Sequence, residues 1–464
     1  KTKAKENTLK RAVSKLKIGE KSDYLYLTPH ERFSKLPTSV FGYWMSQSLA
    51  NRYQPENSIG NLAATIKQGT ATADDFRFLR LAWEVNPDDV GLGQSWTHFA
   101  KGGEFSPYYD DIHLLINWRS HGEEIIAWGK GRPQNSQYFG KQGITWPRRT
   151  TSPFSPRLFP DGCAFGDKGP CAFPNDGIST FGLLGVLTSR PSRLLMSVRL
   201  GAGDDAPGSA SKSYEVGIVK DLPFPDLTND DRELLDRLSQ EAATIASQKF
   251  KFDDETSSIF QFPDILHHWV QGADSFRDAV SLVVQSRENQ FSRLSKISDE
   301  IDGIAASGFQ FTDEDLLVMD EELSPPVSRF TNELVDDSLF EKSYLTKDAI
   351  PGDSLPGGLE AEEDVRIQTI RKKQTASLRS EDSICRLFNI SPSTFSQHRE
   401  RLELLRREDI EDAATRALSF FFGNAFGRFP IIEANSRDSV DLLENPSPPP
   451  SNACLLYTSP SPRD

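Results

Sequence analysis

At 464 residues, with 37% apolar and 26% charged side chains, the chain exceeds one ordinary hydrophobic core and is expected to divide into several domains. No apolar run approaches membrane-spanning length and the lysine-rich start lacks a secretory apolar stretch, so no membrane contact and a cytoplasmic address are expected. The net charge of −14 speaks against a polyanionic partner until it is divided: residues 1–200 hold 26 Lys+Arg against 18 Asp+Glu, a balance of +8, which leaves −22 for the remainder. The four cysteines, Cys163, Cys171, Cys385 and Cys454, include no C-x-x-C pair and have no histidine at ligand spacing, so no metal site is expected. A disulfide between Cys163 and Cys171 is conceivable across their short loop, but reduced thiols fit a cytoplasmic protein better.

Residues 1–24 read as the end of a helical or catalytic region that begins upstream. Leu9, Ala12, Val13 and Leu16 fall at helical spacing under a lysine-rich face, without an evident partner, so the chain is expected to start mid-protein. From 25 to 228 the texture is strand-like, with Ile112–Trp118, Glu124–Trp128 and Gly143–Trp146 as the clearest strands; six of the seven tryptophans precede residue 150 and place the aromatic mass there. Residues 229–310 predict a helical hairpin. Thr228 with Asp231 makes an N-terminal cap ahead of Leu234, Leu235, Leu238, Ala242 and Ile245, and Phe276, Val280, Val283, Phe291, Leu294, Ile297 and Ile301 stripe a second helix.

Residues 311–375 predict a loosely ordered acidic linker, since 311–365 carry 16 acidic side chains against 3 basic ones. Imitation of nucleic acid is one reading of that run, and plain solvation is the other. In 376–430 the helical period returns. SICRLFNISPSTFSQHRERLELL has the texture of a helix-turn-helix whose second helix carries Ser393, Thr394, Ser396, Gln397, His398 and Arg399; a hairpin with a solvent-facing polar side is the alternative. Residues 431–464 form a Pro/Ser-rich tail, and CLLYTSPSPRD (Cys454–Asp464) reads as a translated sequencing adapter, set aside from the fold. The expected fold class is therefore α+β: a mixed, strand-rich domain, then a helical hairpin region, then a C-terminal helical segment.

Three groups invite a chemical reading. GTATADDFRFLRLAWEV (Gly69–Val85) is either a half-buried strand with Phe76, Phe78 and Leu81 inward, or a surface that meets a polyanion through Arg77 and Arg80. Asp110–Asp111 resembles a nuclease carboxylate pair but lacks the E-x-K that would accompany it, so cleavage is not expected. His267–His268 has no further ligand at spacing and reads as a packed helix face.

Seven stretches, in order, resemble the C-terminal part of one family. They are FGYWMSQ (Phe41–Gln47); GTATADDFRFLRLAWEV, with Asp75 where asparagine is usual; KGGEFSPYYDDIHLLINWRSHGEEI (Lys101–Ile125); GITWPRRTTSPFSPRLFP (Gly143–Pro160) with STFGLLGVLTSRPSRLL (Ser179–Leu195); SYEVGIVKDLPFP (Ser213–Pro225); and RALSFFFGNAFGRF (Arg416–Phe429). The family is that of the BREX PglX-like adenine-specific DNA methyltransferases, related to enzymes of DISARM and single-chain restriction–modification systems and carrying a TaqI-like specificity domain.

The resemblance implies a target-recognition region for double-stranded DNA, serving an enzyme that transfers a methyl group from S-adenosylmethionine to adenine N6. It further implies an upstream catalytic domain and other phage-defence proteins as partners. Under it, Arg77 and Arg80 contact phosphate or brace the catalytic domain with Phe78 and Trp83 as core, and Lys101 sits where two glycines let a ligand approach. Arg148, Arg149, Thr150 and Thr151 leave a strand toward base edges. The chain departs from the family in lacking a glycine-rich cofactor loop and an N-P-P-aromatic turn: Asn86–Asp89 has one proline and no aromatic. The chemistry is therefore expected upstream of Lys1, and this piece alone is expected to be inactive. A non-enzymatic specificity subunit and a helix-turn-helix regulator are the rival readings.

Overall fold

The computed structural model describes residues 2–20, 46–200, 212–323, 325–330, 334, 384–385, 388, 390–407, 410–426 and 428. Phe41–Met45, most of the acidic linker and the tail lie outside them. The fold is α+β. Helix α1 (Thr2–Lys17) forms where the lysine-rich spacing predicts one, and Ala12 is buried on it.

Four antiparallel strands lie side by side in the order β1 (Ala64–Lys67), β9 (Cys171–Pro174), β5 (Gly143–Thr145) and β7 (Arg157–Phe159), so that Ile144 faces both Leu158 and Ala172. A second sheet orders β2 (Leu79–Leu81), β4 (Leu114–Asn117), β3 (Trp96–Ala100) and β8 (Ala164–Phe165), the last pair parallel. A ribbon pairs β6 (Arg149–Thr150) with β10 (Lys212–Ser213). Phe159 and Phe173 from the first sheet pack with Ala100 and Phe165 from the second, joining the two. The thiols of Cys163 and Cys171 are free and buried in that layer, and burial pushes Cys163 up to about 12.

Helices cover the first sheet. At its β1 edge, α2 (Gln47–Arg52) precedes α3 (Ile59–Leu62), and Ile59 N donates to Leu222 O at 2.7 Å, just beyond α8 (Val216–Lys220). Helix α6 (Thr180–Thr188) buries Phe181, Leu183, Leu184, Val186 and Leu187, apolar on every side because it lies between the sheet and α9 (Asn229–Phe252). Beyond it runs α7 (Arg190–Leu200). The Thr228–Asp231 capping box forms as expected at the start of α9. Helix α9 runs antiparallel to α11 (Phe276–Gly308): Glu241 binds Arg293 at 2.6 Å and Asp253 binds Arg287 at 2.6 Å. Ile144, Trp146 and Leu158 share one core with Leu183, Leu235, Ile297 and Ile301, so sheet and hairpin pack as a unit. Between them in sequence, α10 (Asp264–Val270) carries His267, whose ring stacks on Phe262 with centroids 6.0 Å apart.

Three expectations change. Glu124–Trp128 is not a strand but part of α5 (Glu123–Trp128). Glycines with positive φ flank it, Gly122 at 81° and Gly129 at 72°; two glutamates occupy its first turn, and of its residues only Ile125 is buried, too little alternation to define a strand. The acidic stretch begins with α12 (Asp313–Leu323) rather than loose chain. Two of its acids are engaged: Asp315 accepts from the Thr312 N–H at 2.9 Å and from its hydroxyl at 2.7 Å, and Asp320 accepts from Arg190 and Arg329, each at 2.7 Å. In the helix-turn-helix candidate, the second helix exists as α13 (Pro392–Arg406), followed by α14 (Ile410–Ala425), but its polar residues are mostly engaged. Ser393 and Thr394 hydroxyls lie 2.7 and 2.8 Å from the capping Ser391 hydroxyl, Arg399 pairs with Glu403, and His398 packs edge-on against Phe330. Ser396 and Gln397 remain exposed, and most of the first helix lies outside the described residues.

Burial, with the Arg401 charge nearby, pushes His398 down to about 4. A histidine whose folded value lies below its unfolded one favours the folded state only while neutral, so the chain is expected to lose stability as pH falls from about 6.5 to about 4. His398→Gln removes that loss; thermal melts at pH 7 and pH 4.5 check it, the variant showing the smaller drop between them.

Candidate nucleic-acid interface

Four stretches separate in sequence are sewn together by backbone hydrogen bonds. Thr70 N donates to Phe165 O (3.0 Å), Asp167 N to Thr70 O (3.1 Å), Gly166 N to Ala100 O (2.8 Å) and Arg148 N to Lys168 O (2.9 Å). A side chain at Gly69 would start 2.0 Å from Phe165 O, so the close approach requires glycine there. The result sets residues 69–75, 100–103, 147–150 and 165–169 next to one another.

The sequence-derived cations divide into two kinds. Lys101 forms an ion pair with Asp75 and its side chain is only 18% exposed. Burial by itself would raise the Asp75 pKa, but hydrogen bonds from Lys101 and Thr72 and the charges of Lys101 and Lys168 hold it below the ordinary carboxylate value. Arg148 lies between Asp167 and Glu215, 3.9 Å from each, and is 14% exposed. Arg80 donates to the carbonyls of Phe76 (2.8 Å) and Leu79 (2.6 Å). These three are internally committed.

Arg149, by contrast, is exposed on β6 with no carboxylate partner among the described residues, and Thr151 beside it is exposed too. The Thr150 hydroxyl accepts from Ser152 N at 3.0 Å, shaping the turn that presents them. Arg77, on α4 (Asp75–Phe78), lies with its guanidinium 4.3 Å from the Trp128 ring centroid. Two expectations for this stretch fail. Phe76 is 94% exposed rather than inward, and Trp83 is 42% exposed rather than core, because α4 interrupts the alternation and turns Phe76 away from buried Phe78.

Sequence reasoning missed Asp75, Asp167, Lys168 and Trp128 as members of this surface. Asp75 pairs with Lys101, Asp167 with Arg148 and Trp128 with Arg77, which are 26, 19 and 51 residues away in the chain, and no local pattern marks such pairs. Asp110 and Asp111 do not form a reactive pair. Asp110 is bound to Arg157, while Asp111 accepts from Ser258 N at 3.1 Å and from its hydroxyl. Among the described residues no group of three or more His, Cys, Asp or Glu is placed to hold a metal ion, and no helix is long and apolar enough to cross a membrane.

Asp75→Asn removes the carboxylate that occupies Lys101 and keeps a side chain able to accept from Thr72. If the surface meets duplex DNA, as the family resemblance implies, the variant binds it more tightly, with a salt dependence steeper by about 0.9 in the log–log slope, the value of one added phosphate contact. Fluorescence anisotropy titrations over a salt series read that slope; an unchanged slope would mean that Lys101 does not reach phosphate even when released.

This arrangement is that of a basic protein surface built on an α+β scaffold, and sequence comparison gives it relatives. The chain is 28% identical over 218 residues to the adenine-specific methyltransferase PglX of Lacticaseibacillus casei (strain Zhang), covering 44% of this chain and 17% of that protein. It is 29% identical over 164 residues to the adenine-specific methyltransferase BrxX of Escherichia coli O9:H4 (strain HS), covering 34% of this chain and 13% of that one. The chain thus spans less than a fifth of the length of either relative. No protein-family model matches the sequence.

Proposed function

We propose that this chain is the target-recognition and C-terminal helical portion of an adenine-N6 DNA methyltransferase of a BREX-type phage-defence or restriction–modification system. In this reading the parent enzyme binds double-stranded DNA here and methylates a flipped adenine in a catalytic domain outside these residues, using S-adenosylmethionine bound there. The observation that carries it is the similarity to two proteins named as adenine-specific methyltransferases. The surface supports it, since an exposed arginine and threonine leave a strand beside a cation-lined rim, a placement suited to base edges flanked by phosphates. Here Arg149 and Thr151 read bases, Arg77 contacts phosphate, and Arg80, Lys101, Arg148 and Thr150 hold the rim in shape.

The test is selection from randomised duplexes by the 464-residue chain. Enrichment of one short motif is expected. Binding without enrichment would overturn the recognition role, and loss of enrichment on deleting residues 376–430 would favour α13 as the reader instead.

A further inference from the structure

Beyond the rim, a second row of cations runs along one pair of chain segments. Gly129 ends α5 with φ of 72° and turns the chain so that Lys130 Nζ lies 5.0 Å from the Trp128 ring centroid, on a ring that Arg77 also caps. From there residues 131–138 run antiparallel to 67–72. Arg132 and Ala71 exchange backbone hydrogen bonds of 2.8 and 3.1 Å, and Gln134 and Asn135 side chains donate to the carbonyls of Gly69 and Gln68, each at 2.8 Å. The pairing delivers Tyr138 to Lys67, whose Nζ is 5.8 Å from the ring centroid, with Lys141 Nζ at 5.2 Å from the same ring. Tyr138 in turn stacks on Phe173 of β9, with centroids 4.9 Å apart.

The order along the surface is therefore Arg77, Trp128, Lys130, Arg132, then Lys67, Tyr138 and Lys141. Gly129–Lys141 contains no aspartate or glutamate. None of these five cations has a carboxylate partner among the described residues, which sets them apart from Lys101 and Arg148. Their aromatic neighbours are already covered by ammonium or guanidinium groups, so the rings hold cations in place rather than offering open faces to bases. Such a row suits evenly spaced, singly charged anions.

We infer that Lys67, Lys130, Arg132 and Lys141, continuing from Arg77, form a track for the phosphodiester backbone of duplex DNA flanking the recognised bases. The inference rests on the DNA-recognition reading. It adds that much of the affinity, and little of the sequence preference, comes from this track. Binding then releases counterions from phosphates the base-reading strand never touches.

The experiment is anisotropy titration of the full chain against a duplex carrying the selected motif and against a scrambled duplex, each over a salt series, with Lys130→Ala/Arg132→Ala/Lys141→Ala beside the unsubstituted protein. The expected result is a log–log salt slope shallower by about 2 to 3 on both duplexes, with the motif-to-scrambled ratio retained. All three side chains are exposed, and a thermal melt confirms that the variant is folded; Arg132→Lys alone should retain the slope. If the unsubstituted chain binds and the triple variant keeps its slope, the track is wrong while the recognition reading stands. If polyglutamate competes as well as duplex DNA, the row serves an acidic peptide and the inference is overturned. If the unsubstituted chain binds no duplex at low salt, both readings fall.

Discussion

Arg157→Met is expected to destabilise the strand-rich half by about 3 to 5 kcal/mol, the cost of leaving one member of a buried ion pair alone. Arg157 stands in β7 with its side chain only 3% exposed; one guanidinium nitrogen binds Asp110 and the other donates to Glu104 O at 2.7 Å. Burial draws the guanidinium pKa down to about 10, so the group stays charged at neutral pH, and methionine would leave the Asp110 carboxylate facing the Gly103 turn. Differential scanning calorimetry should show a midpoint lower by about 10 °C. The double variant Arg157→Met/Asp110→Leu should recover most of the loss, because it removes both charges together. A double variant no more stable than the single one would place the cost in packing instead. The same pair pins the turn that carries Lys101, so the single variant should also weaken DNA binding.

Arg149→Ala is expected to lower affinity for the selected motif by about 1 to 3 kcal/mol while affecting scrambled duplexes little, as removal of a base-reading side chain does. The side chain leaves β6 opposite Ser213, and the short ribbon fixes its direction. A uniform loss on all sequences would reassign Arg149 to phosphate. Arg148→Ala provides the contrast. Its guanidinium is held between Asp167 and Glu215, so its removal should cost stability rather than selectivity.

Those two neighbours illustrate how far the sequence could be read. Consecutive arginines at a strand end look alike in sequence, and they part because Arg148 turns toward two acids 19 and 67 residues away while Arg149 alternates to the open face. Local signals were legible wherever the cause was local: the Thr228 box, the stripe of α11 and the GIT strand all form as their residues imply. Glu124–Trp128 misled because glycines with positive φ, rather than apolar alternation, decide its conformation. The acids of α12 look like solvated linker until Arg190 and Arg329 arrive from other turns of the chain. The Lys101–Asp75 pair was invisible for the same reason, since a bridging sheet register closes the gap between them.

The core shared by the first sheet and the α9–α11 hairpin sets a rule for transplanting specificity. Exchange of the segment from β5 to β10 alone between relatives would bring foreign side chains against Leu235, Ile297 and Ile301, so a chimera that keeps its new target must carry both halves of that packing. A unit of exchange that keeps this packing intact therefore reaches at least to Gly308, at the end of α11.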